Sequence, residues 1–283
     1  AFSPGANDFA LGLNQLMVMQ EEAKFDFISS NIIYNKNLFV KDKLIFEPYK
    51  IIKKNKMNIA VIGLVSIFNT DEIAFLPPLE ALRTTIDKVE QTSDFIILLF
   101  DGKEQDLNNI YANNLNIDLI IQSNNSAIRS SDGGGKIPTF IAGSRGKVLF
   151  DFNLEFNDKG LPFIDVAWCN NTISRMNSRM EKMKKGDLEV DLYKLYKNDP
   201  TTLNRIKNYT NQLNKAGYLL SNSINKITFE KVELHKNIFD KPSILKIIDA
   251  GKLKIKDLIG LDVPLTPDDK GRLPGEDHYN HGH

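Results

Sequence analysis

Histidine is missing from the first 234 residues of this chain; the four it has are His235, His278, His281 and His283. Chemistry built on imidazole, whether metal ligation or proton transfer, is therefore confined to the C-terminal part. Cysteine is nearly missing too. The single Cys169 allows no internal disulfide, no CxxC pair and no covalent c-type haem attachment. Neither sign of charge is in excess, with 36 Lys plus Arg against 36 Asp plus Glu. That balance lacks the basic patchwork of a nucleic-acid binder. No apolar run approaches the ~20 residues needed to span a bilayer, so no membrane span is expected. The chain opens at Ala1 with neither an initiator methionine nor an apolar leader, which reads as a processed or truncated product.

What is present describes a globular protein, 42% hydrophobic and 25% charged over 283 residues, long enough for one large domain with an appendage. Leu11 to Lys24 carries Leu13, Leu16, Met17 and Met19 at helical spacing, and FDFISSNI (25–32) reads as a strand. The stretch 46–66 reads as two strands around a turn at Asn55-Lys56. In the second, IAVIGLV (59–65) is continuously apolar, as in a strand covered on both faces. A helix over 79–92 follows the start signal Pro77-Pro78. Then come a buried strand at 94–100, a short helix from Glu104 and a third buried strand at 117–123. This alternation predicts an α/β sheet with helices on its faces. KIPTFIAG, KVLFDFNLEF and LPFIDVAWC (136–169) read as a three-stranded meander, with Cys169 as a buried strand residue. From Asn170 the chain is charged and helical, with Pro200 in the first turn of a second helix. A lone strand at 227–234, one or two short helices and a Pro/Gly-rich extended end complete it.

GANDF (5–9), leading into a helix, is how some metal-dependent phosphoesterases present catalytic side chains. The order of GANDFALG, AKFDFISSNI, FEPYKIIKKNKMNIAVIGLVS, DFIILLFDG, IDLIIQSNNS and IPTFIAGSRGKVLFDFNLEF resembles the metallophosphatase domain of bacterial 5'-nucleotidases and UDP-sugar hydrolases, in the calcineurin-like phosphoesterase superfamily, from about Gly5 to about Val166. The resemblance implies a layered α/β fold and a site holding two divalent metals that activate water against a phosphate ester. It also implies ligands from a Gly-Asn-His-Glu motif, a histidine after a later strand and a Gly-His-x-His pair. In this chain Ala6 stands for the asparagine, Asn7 for the catalytic histidine and Asp8 for the glutamate. Phe100 replaces the next histidine, and Asn124 and Ser126 replace the last two. Alanine and phenylalanine offer no donor atom, so the site is expected to be a relic with positions Asn7, Asp8, Asp101, Asn124 and Ser126. The family's first ligands and strands precede the opening motif, and another polypeptide is expected to supply the missing strands. The family's C-terminal nucleotide-clamping domain has no counterpart after Val166.

Outside the resemblance, DGGGK (132–136) lacks the GxxxxGK[ST] pattern and a following helix, and reads as a flexible connection rather than a phosphate loop. Met176, Met180, Met183, Leu188, Leu192, Tyr193, Leu195 and Tyr196 form stripes that read first as a helical hairpin's own packing and second as a partner-binding face. Three glycosylation-type tripeptides, at Asn124, Asn170 and Asn208, are expected by chance in so Asn-rich a chain. His278, His281 and His283 crowd the end as HYNHGH. Its bland reading is a solvated tail. Its sharper one is a site for a divalent metal or a contact to a partner's haem.

The sequence thus predicts a metallophosphatase-like α/β domain over 1–169, a mainly helical extension over 170–263 and an extended His-bearing tail over 264–283. The expected role is a catalytically silent subunit that binds another polypeptide, with a redox or haem partner as one form of it. The exported habit of the resembled family places it in the periplasm or outside the cell. The competing expectation is a metal-dependent hydrolase of nucleotides or other phosphate esters using Asp8, Asp101 and Asn124.

Overall fold

The computed structural model describes residues 1–35, 43–123, 128–130, 137–143, 146–158, 161–187, 189–234, 238 and 241–259. Contacts group residues 1–232 as one compact unit, and helix α7 (Pro242–Ile259) belongs to a second.

The centre of the first unit is a six-stranded sheet ordered β2 (Tyr49–Lys54), β3 (Met57–Val65), β5 (Phe95–Asp101), β6 (Leu119–Ser123), β8 (Thr139–Ala142) and β7 (Ile128–Ser130). The pairs from β3 through β8 are parallel, and β2 and β7 close the edges antiparallel. The β2–β3 hairpin turns at Asn55 and Lys56, whose φ values of 50° and 65° are those of the two-residue turn that matches strand twist. β3 is buried from Ala60 to Val65, as its unbroken apolar run predicted. Crossovers α2 (Pro78–Val89), with Pro78 at its first position, and α3 (Glu104–Ala112) bury Leu82, Ile86, Val89, Leu107 and Ile110 against one face of the sheet. This is the α/β arrangement expected from the alternating pattern, supported by apolar burial of roughly 2 kcal/mol per large side chain.

A second sheet covers the opposite face. It has three strands, in the order β10 (Phe163–Asp165), β11 (Asn225–Glu233) and β9 (Val148–Glu155). Phenylalanines weld the two layers: Phe140 of β8 meets Phe152 and Phe229 edge-on at centroid distances of 4.7 and 4.9 Å, and Phe95 meets Phe163 at 4.6 Å. The expected meander is therefore corrected. β8 belongs to the large sheet, and β11, distant in sequence, inserts between β9 and β10 and pairs parallel to β10. Alternation shows that β9 has one apolar face but cannot say which strand lies beside it. The strand expected over 25–32 is also corrected. Phe27 and Ile28 make isolated bridges to Phe2 and Glu47, and only β1 (Ile32–Tyr34) is regular, paired with β4 (Ile73–Phe75).

VAWC is not strand. Asp165 accepts from Trp168 N at 2.8 Å and starts α4 (Val166–Met183), so Cys169 is a buried helix residue. α4 packs on α6 (Pro200–Asn222), with the short α5 (Leu192–Leu195) between them. The extension is mainly helical, as expected. Met176 and Leu192 are buried, Met180 and Met183 half-buried, and Tyr196 donates to Met183 O at 3.0 Å, while Tyr193 and Leu195 are exposed. Leu188 lies outside the described residues. α7 is one helix rather than two. Among the described residues no helix is long and apolar enough to cross a membrane.

Candidate functional site

In open α/β sheets, ligands bind outside the carboxyl ends of the parallel strands, where loops diverge. Here β3, β5 and β6 end in register, Val65 beside Asp101 and Asp101 beside Ser123. The opening motif folds over this edge. Gly5 begins a 3-10 turn (Ala6–Phe9), and its N–H donates to Asp8 Oδ2 at 2.8 Å. A Cβ on Gly5 would fall 1.9 Å from Asp101 Oδ2, so the bare backbone lets the turn lie directly on that carboxylate. The motif and the strand-end aspartate, 96 positions on from Gly5, are thus brought together.

The groups at this edge bond to one another. Ser123 Oγ donates to Asp101 Oδ2 at 3.0 Å, and Ser66 N donates to Asp101 O at 2.9 Å. Ser66 Oγ donates to the Asp106 carboxylate in the first turn of α3 and accepts from Lys103 N at 3.0 Å. Gln122, buried, donates through Nε2 to Gly102 O at 3.0 Å, while its Oε1 has no partner among the described residues. Beneath them Asn31, also buried, clasps Val65, donating to Val65 O at 2.8 Å and accepting from Val65 N at 3.1 Å. Asn31 thus acts as a one-residue strand that ends β3.

Of the positions the resemblance singles out, Asn7 and Asp8 are exposed on the turn and Asp101 is half-buried. Ala6 is on the same turn. Phe100 is 1% exposed, with its ring in the core with Leu64, Leu98 and Leu107. Its Cζ lies 2.3 Å from where a Cβ on Gly102 would sit, so Gly102 is required for the ring to stay buried. Asn124 and Ser126 lie outside the described residues, as do His278, His281 and His283. Among the described residues no group of three His, Cys, Asp or Glu side chains is placed to hold a metal ion. Sequence reasoning did not single out Ser66, Asp106, Ser123 or Gln122. For Ser66, Gln122 and Ser123 the signal was position, since a polar residue at the end of a buried parallel strand faces the ligand edge. Cys169 lies elsewhere. Burial pushes its thiol pKa up, and the neighbouring Asp165 adds to the shift.

Neither a family model nor a curated protein sequence matches this chain. Solved structures are similar to part of it. Sulfate thiohydrolase SoxB of Thermus thermophilus is 21% identical, covering 54% of this chain and 30% of its own, with a TM-score of 0.46. The NAD nucleotidase of Haemophilus influenzae is 18% identical over 58% of this chain and 35% of its own, with a TM-score of 0.45. A 5'-nucleotidase precursor of Thermus thermophilus is 16% identical over 55% and 35%, with a TM-score of 0.44. The chain therefore spans 30 to 35% of the length of these proteins.

Proposed function

We propose that this chain is a non-catalytic subunit built on a metallophosphatase-like domain, serving as a structural or interaction component of an assembly outside the cytoplasm. The observation that carries this reading is the identity and packing of the side chains where a two-metal ligand set would stand. Two divalent cations a few Å apart need several nitrogen and oxygen donors each. Ala6 has none, and Phe100 has none and is locked in the core. Asn7 offers one amide on an exposed turn. The remaining carboxylates have partners already: Asp8 holds the Gly5 N–H and Asp101 holds Ser123. Among the described residues, the side chains at this edge do not fit a two-metal centre. An interaction role needs no such donors. It is supported by the helices of the extension, where Tyr193, Leu195 and Tyr218 are more than two-fifths exposed. A redox or haem-bearing partner, reached through His278, His281 and His283, is the form of assembly the tail's composition favours.

The purified chain, offered manganese and zinc, is expected to retain substoichiometric metal and to leave AMP and p-nitrophenyl phosphate intact. Natively isolated material is expected to have the mass of a complex with a second polypeptide. Two metals per chain, with AMP hydrolysis abolished by Asp101→Asn, would overturn the proposal. That result would establish the hydrolase reading with Asp8, Asp101 and Asn124, which the meeting of the opening turn with Asp101 favours.

A further inference from the structure

At the opposite, amino-terminal edge of the same parallel strands lies a cleft of about 540 Å³, formed where α2 and α3 end and β5 and β6 begin. Its charge is one-sided. Glu90, Asp94 and Asp118 line it, and no lysine, arginine or histidine does so among the described residues. Its walls are otherwise mixed, apolar at Leu115, Ile117, Leu161 and Pro162 and polar at Asn114 and Asn116.

Part of this acidity has a structural cause. The first N–H of a parallel strand lacks a ladder partner, and an aspartate before the next strand supplies one. Asp94 Oδ2 accepts from Asn58 N at 2.8 Å, and Asp118 Oδ2 accepts from Ile96 N at 2.8 Å. That duty occupies one oxygen of Asp118. Its Oδ1 has no partner among the described residues. The wall carries a second unanswered group: the Ser93 side chain is only 6% exposed, and its Oγ has no partner among the described residues. Burial raises the Asp118 pKa from 3.8 to about 6, and the Ile96 N–H lowers it only in part; no cation offsets the desolvation. A largely desolvated carboxylate with a spare oxygen, in one cleft with an orphan hydroxyl and an apolar stretch of wall, lacks a donor that carries positive charge. A metal ion does not fit, because no three ligating side chains converge there among the described residues. A cation with an apolar body does fit: its ammonium answers Asp118 and its hydrocarbon covers the wall.

We propose that this cleft is a binding site for a small organic amine, with the ammonium group donating to Asp118 and the apolar body lying on Leu115, Ile117 and Leu161. The site is independent of the strand-end edge and of the role proposed for it. The groups facing Asp118 from the surrounding elements are Glu90 after α2, Asp94 before β5 and Tyr111 on α3, whose hydroxyl donates to Thr139 Oγ1 at 2.6 Å. All the titratable neighbours are acidic, so binding strengthens as pH rises through the range in which Asp118 ionises.

Tryptamine, hexylamine, the neutral tryptophol and the anionic indole-3-acetate are titrated into the intact chain, following the Ile96 amide by NMR and affinity by calorimetry. Saturable binding of both amines is expected, at least tenfold tighter than either uncharged or anionic analogue and at least tenfold weaker at pH 4.5 than at pH 8. Asp118→Asn, which keeps an acceptor for Ile96, should weaken both amines tenfold or more while keeping a cooperative thermal transition with a midpoint no lower than that of the unsubstituted chain. Failure of both amines to perturb Ile96, equal binding of tryptophol, or unchanged affinity in a folded Asp118→Asn variant would each overturn the assignment. Should that variant not fold, Glu90→Gln and the analogue series decide it, since equal affinity for amine and alcohol defeats an ion-pairing site without any mutation.

Discussion

Asn225 is fully buried and hydrogen-bonds through both ends of its amide. Its Nδ2 donates to Asp158 O and Leu161 O, each at 2.7 Å, and its Oδ1 accepts from Asn157 N at 2.9 Å and Asp158 N at 3.1 Å. One side chain thus ties the segment between β9 and β10 to the start of β11. Asn225→Ala strands those backbone groups and is expected to cost about 3 kcal/mol or more, read from the urea midpoint at constant slope. Asp118 acts in the opposite sense. Its folded pKa of about 6 lies above the ordinary 3.8, so the fold favours the protonated acid. The associated stability is fully present below pH 3.8, falls as pH rises and is gone above about 6. The difference corresponds to roughly 3 kcal/mol. Asp118→Asn should therefore raise the melting temperature at pH 8 and flatten the stability profile between the two values. An unchanged profile would show that the carboxyl is solvated. Cys169, buried with its pKa pushed up, should resist disulfide-exchange reagents at neutral pH in the native chain and react fully in urea.

Two positions set the geometry of whole elements. Gly63 lies on β3 where the backbone before β1 crosses it. A Cβ there would stand 2.2 Å from Ile28 O, and Gly63 O accepts both Ser30 N and Ser30 Oγ, at 2.8 and 2.7 Å. The obstruction is backbone, not a side chain able to turn aside. Gly63→Ala is therefore expected to cost about 3 kcal/mol or more and to loosen the segment that leads into β1, visible as lost amide-exchange protection in residues 26–33. In the extension, Met176 is fully buried in α4, the helix that packs on α6. Met176→Ala should cost about 2–5 kcal/mol through the cavity it leaves. Met19, 51% exposed on α1 (Leu13–Glu22), serves as the comparison, and Met19→Ala should change stability by less than about 0.5 kcal/mol.

Across the whole molecule, local rules and long-range packing divided the outcome. The hairpin at Asn55-Lys56, the three buried parallel strands, the proline-started helices α2 and α6 and the hydrophobic face of β11 were legible. Each follows from neighbours within a few residues: a turn that needs positive φ, an apolar run, or a ring that supplies a helix's first φ. The loss of ligating side chains at Ala6 and Phe100 was legible for the same reason, since donor chemistry belongs to the residue type. What lies beside a strand is not local. Only the folded chain places β11 between β9 and β10, because all three present one apolar face and several orders would bury the phenylalanines. The β11 insertion satisfies both the ladder and the Asn225 clamp. The start of α4 at Val166 depended on an Asp165 cap in a segment whose apolar composition also suits a strand. The meeting of Gly5 with Asp101, and the half-answered Asp118 in its cleft, likewise rest on tertiary contact. Sequence alone determined the strongly patterned elements and which chemistry their side chains can offer, because those depend on short-range sterics and atom type. Tertiary structure decided which elements adjoin and which polar groups are left wanting a partner, because burial and hydrogen bonding are settled only once distant segments meet.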